Sequence, residues 1–115
     1  MLEANTQTGE LDGRLYHFTV PSVRAYPFQW FWDSCFHAIV WSRYDAEHAA
    51  DELRGLLAAQ EPDGLIPHVV FWNQERVSRV AWHHLESRGR VEFFLPGRRP
   101  RVTAQMQPPV IAQAV

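Results

Sequence analysis

The stretch Tyr26 to Asp45, YPFQWFWDSCFHAIVWSRYD, restricts the fold more than any other part of the chain. It carries Trp30, Trp32 and Trp41, three of the chain's five tryptophans, together with Phe28, Phe31 and Phe36. So many rings do not suit a helix with a broad wet face. One carboxylate, Asp33, follows Trp30-Phe31-Trp32 directly. Leaving a buried carboxylate without donors costs on the order of 1–3 kcal/mol or more. Asp33 therefore needs hydrogen-bond donors, either backbone N–H groups or the hydroxyls of a ligand.

Pro21-Ser22 and Tyr26-Pro27 are extended or turn signals that lead into the first helix, and the helical pattern runs on from there towards the C-terminus. Asp33-Ser34 reads as a helix start, since either side chain can cap free N–H groups. Cys35 to Tyr44 is apolar nearly all round and is expected to be buried on most sides. Asp45 is placed to cap a second helix, Ala46 to Gln60. In it Ala49, Ala50, Leu53, Leu56, Leu57 and Gln60 keep the helical period, and Glu47, Asp51, Glu52 and Arg54 are assigned to water. The two form an αα-hairpin with an inner and an outer member.

Glu61-Pro62-Asp63-Gly64 ends the second helix and turns the chain, and Leu65 to Asn73 reads as extended. Residues 74–88 hold a weaker helical pattern closed by Gly89, and 90–101 a loop or short extended segment. Pro108-Pro109 opens a last apolar run, Val110 to Val115, which predicts a helix cut in mid-course. At the other end, residues 1–21 are polar up to Pro21; Leu15 to Val20 reads as one short strand without an evident hairpin partner. The expected division is an extended segment, 1–21, followed by 22–115 as the opening part of a larger helical domain.

Charge and cysteine usage narrow the function classes. A formal net charge of -2, with no basic field, argues against nucleic acid or anionic lipid as a partner. Cys35 is the single cysteine, so an internal disulfide is excluded and a reducing compartment fits. The N-terminal residues carry no apolar signal core, and no run is long enough to span a bilayer. A cytoplasmic protein is expected.

Each candidate residue also has a plainer role. By spacing alone Asp33 is first a helix cap and Trp32 first a core residue. His68 is equally a loop histidine bonded to backbone, and Gln107 equally a cap of the last helix. Trp30, Phe31, Phe36 and Trp41 are assigned to the core, and Trp72 and Asn73 to structural roles, with the rim as an alternative for Trp72. His83-His84 do not share a helix face and no further ligand stands at metal spacing. Cys35 is read as a buried structural cysteine. The alternative chemistry is carbohydrate binding: a carboxylate accepts from vicinal hydroxyls in pairs, and an indole face covers the C–H face of a pyranose.

Three motifs occur in order: Tyr-Pro-Phe-Gln-Trp-Phe-Trp-Asp-Ser-Cys-Phe-His-Ala at 26–38, Asp-Gly-Leu-Ile-Pro-His-Val-Val-Phe-Trp-Asn at 63–73, and Gln-Pro-Pro-Val at 107–110. Together they resemble the N-terminal part of the bacterial six-hairpin glycoside hydrolases, in particular the mannosylglycerate and glucosylglycerate hydrolases of glycoside hydrolase family 63. The resemblance implies an all-α fold, a partial (α/α)6 toroid made of its first inner and outer helix hairpins. It implies a fragment of an inverting α-glycosidase, with acid and base on opposite faces of the sugar. Both catalytic carboxylates would lie past Val115, so no catalytic residue is assigned in this chain, and the chain alone is expected to be inactive. The substrate-binding positions it implies are Trp32, Asp33, His68 and Gln107. No cofactor and no metal are expected; the partner is a small carbohydrate, and the full-length enzyme has the option of a homo-oligomer. Phe94-Leu95-Pro96-Gly97 stands where relatives carry Tyr-Phe-Pro-Gly, which implies one hydroxyl contact fewer. A trehalase-like or oligosaccharide α-glucosidase of the same fold, and a non-catalytic sugar-binding or helical interaction module, are the alternatives.

Overall fold

The structure, a computed structural model, describes residues 2–73 and 107–115. The expected helix over 74–88, the His83-His84 pair and the Phe94 turn lie outside the described residues.

The chain opens with a short 3-10 turn, Glu3–Asn5, and then a hairpin of β1 (Thr6–Leu11) and β2 (Arg14–Thr19). The strands pair antiparallel from Thr6 opposite Thr19 to Leu11 opposite Arg14. That register leaves a two-residue turn, Asp12-Gly13, with φ of 53° and 77°. Two left-handed residues match the right-handed twist of the strands, and Asp-Gly is a preferred pair for the task. The all-α expectation is therefore corrected: β2 has a partner. β1, TQTGEL, shows little apolar alternation because only part of it is covered, so its turn carried the signal and its pattern did not.

After β2 the chain passes an isolated bridge, Ser22 to Tyr26, and enters β3 (Gln29–Trp30). β3 pairs antiparallel with β4 (Val69–Val70), Gln29 opposite Val70 and Trp30 opposite Val69. Between these strands runs the helical hairpin, α1 (Phe31–Trp41) and α2 (Ala46–Ala58). Asp45 caps α2 as expected, its carboxylate accepting from Glu47 N–H at 3.1 Å and His48 N–H at 3.0 Å. A short final helix, α3 (Ile111–Ala114), packs back on α1.

Buried residues of α1 are Phe31, Ser34, Cys35, Ala38 and Trp41, one face at helical spacing. Leu56 of α2 and, from the C-terminal residues, Val110, Ile111 and Ala114 pack on Phe31 and Cys35. A second cluster joins Phe18 and Val20 of the hairpin end to Val70 and Trp72. Two expectations are corrected here. α1 is covered on one face among the described residues, and Phe36, assigned to the core, is 49% exposed with Ile39 and Val40 beside it. Glu52, assigned to water, has no exposed surface at all. The buried stripe of α2 runs His48, Ala49, Glu52, Leu56, so the helix period puts Glu52 in the middle of the packed face.

Candidate functional site

The four residues singled out from sequence meet at the N-terminal turn of α1. Helix starts leave backbone N–H groups without intrahelical acceptors. Here two of them are taken by distant segments. Phe31 N–H donates to the His68 carbonyl at 2.9 Å, continuing the β3–β4 pairing. Trp32 N–H donates to Gln107 Oε1 at 2.8 Å. No side chain next to the helix start serves as cap, and Trp30, extended at φ -101° and ψ 134°, is the N-cap residue. α1 therefore begins at Phe31, before the Asp33-Ser34 start expected from sequence. Gln107, read as an alternative cap for the last helix, caps α1 instead.

Asp33 occupies the third helical position, where the positive end of the helix dipole favours an anion. Burial raises its carboxyl above the usual carboxylate range, while hydrogen bonds from its own backbone N–H and from the Trp32 side chain pull the other way. Those two donors belong to Asp33's own turn. Trp32 itself is 41% exposed, so the expected indole wall is open to solvent on the described part of the chain.

Trp30, a core residue by the sequence reading, is only partly buried. Its ring meets Tyr26 edge-on at 5.5 Å and His68 edge-on at 5.6 Å. Its indole Nε1 is buried and has no acceptor among the described residues. A buried donor left unpaired costs on the order of 1–3 kcal/mol. Tyr26 and Trp30 thus extend the cluster to an aromatic and donor-bearing rim that sequence reasoning did not credit. The available signal was Tyr26-Pro27 ahead of Trp30, an extended entry that sets Trp30 off from the helix that follows.

Beneath this turn lies a buried polar network. Glu52 accepts from Thr19 N–H at 2.6 Å and from Ser34 Oγ–H at 2.7 Å. Gln29 Nε2 donates to Ser34 Oγ at 3.2 Å and to the Glu52 carbonyl at 2.9 Å, and Gln29 Oε1 accepts from Trp72 Nε1 at 2.7 Å. Burial pushes Glu52 up to about 7 against those hydrogen bonds. Trp72, for which the rim was an alternative, is thereby buried and structural. Cys35 is fully buried, and burial with the nearby Glu52 carboxylate pushes its thiol up to about 11, so it stays protonated and inert.

An open groove of about 830 Å³ lies elsewhere, between the β1–β2 hairpin and α2, lined among others by Tyr16, His17, Asp51 and Arg54. None of Trp32, Asp33, His68 or Gln107 lines it. Among the described residues no group of three His, Cys, Asp or Glu side chains comes together to hold a metal ion. No described helix is long and apolar enough to cross a membrane.

Residues 26–115 match the family described as the mannosylglycerate hydrolase MGH1-like glycoside hydrolase domain. Over 102 residues the chain is 39% identical to a mannosylglycerate hydrolase of Thermus thermophilus, covering 85% of this chain and 22% of that one. It is 48% identical over 55 residues to a glucosylglycerate hydrolase of Mycolicibacterium hassiacum, 48% of this chain and 12% of the relative. Among solved structures, a GH63 mannosylglycerate hydrolase from Thermus thermophilus in complex with Tris and D-glycerate superposes with a TM-score of 0.60 at 33% identity, over 98% of this chain and 22% of that one. The chain spans about a fifth of the length of the first of these relatives.

Proposed function

The chain belongs to the mannosylglycerate hydrolase MGH1-like glycoside hydrolase family, and on that premise we propose that it forms one sugar-binding wall of an inverting glycosidase acting on a small glycosyl-glycerate. In this reading the chain is the opening part of an (α/α)6 domain. Asp33 accepts from two hydroxyls of the sugar in the subsite where the bond is cleaved. Trp32 lies along the pyranose face, and His68 and Gln107 border the same sugar. The general acid and general base come from no described residue.

One observation supports the reading above the others. Residues 32–33, 68 and 107, far apart in sequence, converge on one helix turn, and Asp33's carboxylate is held only by donors of its own turn among the described residues. Of the free N–H groups at the helix start, Asp33's carboxylate accepts only its own. Here His68 and Gln107 take two of those groups, leaving carboxylate lone pairs for hydroxyl donors.

The test is hydrolysis by the full-length protein that contains this chain, offered mannosylglycerate, glucosylglycerate and trehalose. Release of glycerate from either of the first two supports the proposal. Cleavage of trehalose alone would move the substrate to the trehalase-like alternative, and absence of any sugar hydrolysis would refute the glycosidase reading.

A further inference from the structure

We propose that Glu52, with no route to the sugar itself, is a positioning residue that sets where Asp33 and Trp32 stand by clamping both ends of their turn to α2. The inference rests on the sugar-binding reading of Asp33.

The geometry is two-sided. The turn that carries Trp30 to Asp33 is bracketed by Gln29 before it and Ser34 after it. Ser34 Oγ donates to Glu52 Oε2 at 2.7 Å, and Gln29 Nε2 donates to the Glu52 backbone carbonyl at 2.9 Å. The two brackets also touch each other, Gln29 Nε2 to Ser34 Oγ at 3.2 Å. One residue of the outer helix thus grips both flanks of a four-residue turn on the inner one. The other Glu52 oxygen accepts from Thr19 N–H at 2.6 Å, which ties the same point to the end of β2. All of Gln29, Ser34 and Glu52 are without exposed surface.

A hydrophobic residue at position 52 would fill the space at least as well energetically, because a buried carboxyl carries a desolvation cost. What an apolar residue lacks is direction. A hydrogen bond loses strength steeply with misalignment, so the Ser34 and Thr19 bonds onto the carboxyl fix how α1 sits against α2 and the end of β2, while the Gln29 bond to the backbone carbonyl is kept whatever residue stands at 52. That matters at Asp33, since a shift of about 1 Å in a group that orients a reacting substrate costs about 100-fold in rate. Gly55, one turn further along α2, supports the clamp: a Cβ there would stand 2.8 Å from Gln29 Oε1 and 3.0 Å from its Nε2.

The experiment compares Glu52→Gln, Glu52→Leu and Ser34→Ala in the full-length protein. Glu52→Leu and Ser34→Ala are expected to raise KM for the cleaved glycosyl-glycerate about tenfold or more, whereas Glu52→Gln, which keeps the shape, one acceptor for Thr19 N–H and an N–H that can donate to Ser34 Oγ, stays within about threefold of the unmodified protein. KM does not depend on the fraction of molecules folded, so a role in stability alone would lower yield or melting temperature and leave KM in place; that outcome overturns the inference. A second readout needs no turnover. The Asp33 carboxyl ¹³C titration is expected to differ by about half a unit or more between Glu52→Leu and Glu52→Gln, which are alike in charge. Coincident titrations would overturn the inference. An unmodified protein that cleaves no sugar refutes the glycosidase reading, and the ¹³C comparison then still decides whether Glu52 positions Asp33. If Glu52→Leu does not fold, Ser34→Ala carries the same comparison against the unmodified protein through KM.

Discussion

At the scale of single residues, Asp33 and Glu52 are two carboxyls in unlike settings. Both are raised by burial, but Asp33 is stabilised by donors of its own turn and Glu52 by donors from two other elements. The second arrangement draws its donors from distant segments, the first from its own turn. Asp33→Asn keeps the volume and removes the charge-assisted part of any hydroxyl contact, worth roughly 1.5–3 kcal/mol. A drop of about 10- to 100-fold in kcat/KM is expected, with an unfolding midpoint close to that of the unmodified protein; near-normal turnover would take Asp33 out of the site.

At the scale of elements, local rules account for some ends and tertiary contacts for others. The start of α2 is local: Asp45 accepts two N–H groups of the helix's own first turn. Asp45→Ala should therefore cost about 1 kcal/mol by urea unfolding. The start of α1 is not local, because its acceptors come from His68 and Gln107. Gly55 makes the same point in the interior of α2. In an open helix Gly→Ala stabilises by roughly 0.5–1 kcal/mol. At Gly55 the new methyl would meet the Gln29 carboxamide, and overpacking of this kind costs about 1–3 kcal/mol. Gly55→Ala is expected to destabilise, and a raised melting temperature would show that Gln29 can move aside.

At the scale of the whole molecule, stability against pH follows from groups that oppose one another. Glu52 stands at about 7 in the folded state against an ordinary 4.5, so the folded state binds its proton more tightly. Its contribution is complete below about 4.5 and is lost as the pH rises through about 7. His37 and His48 run the other way. Burial lowers both, so what they contribute is complete above the ordinary value of 6.5 and is lost as the pH falls through their lowered values. His37 Nδ1 is in addition buried without a partner among the described residues. Glu52→Gln removes the first trend and leaves the two histidines in place, His48 Nε2 standing 3.8 Å from Glu52 Oε1 in the unmodified protein. The stability of the unmodified protein relative to Glu52→Gln is expected to fall by up to roughly 3 kcal/mol from below pH 4.5 to above pH 7. A difference that is flat across that range, in urea unfolding at a series of pH values, would show that Glu52 titrates as an ordinary surface carboxyl.

Much of this was legible in the amino acids, and the losses have definite causes. The helical hairpin, the Asp45 cap, the turn at Pro62 to Gly64 and the buried Cys35 follow from local chemistry and helical period, which act over a few residues. The three ordered motifs carried the family, which the match over residues 26–115 establishes. The β1–β2 hairpin was missed because polar strand residues weaken the period-2 signal, although Asp12-Gly13 marked the turn. Glu52 was misplaced because its charge outweighed its position between Ala49 and Leu56. Only the tertiary structure decided that α1 begins at Phe31, that Trp32, Asp33, His68 and Gln107 share one turn, and that a buried carboxyl lies under it. The physical reason is common to all three: the acceptors and donors that settle them lie from 18 to 75 residues away along the chain, beyond the reach of any local pattern.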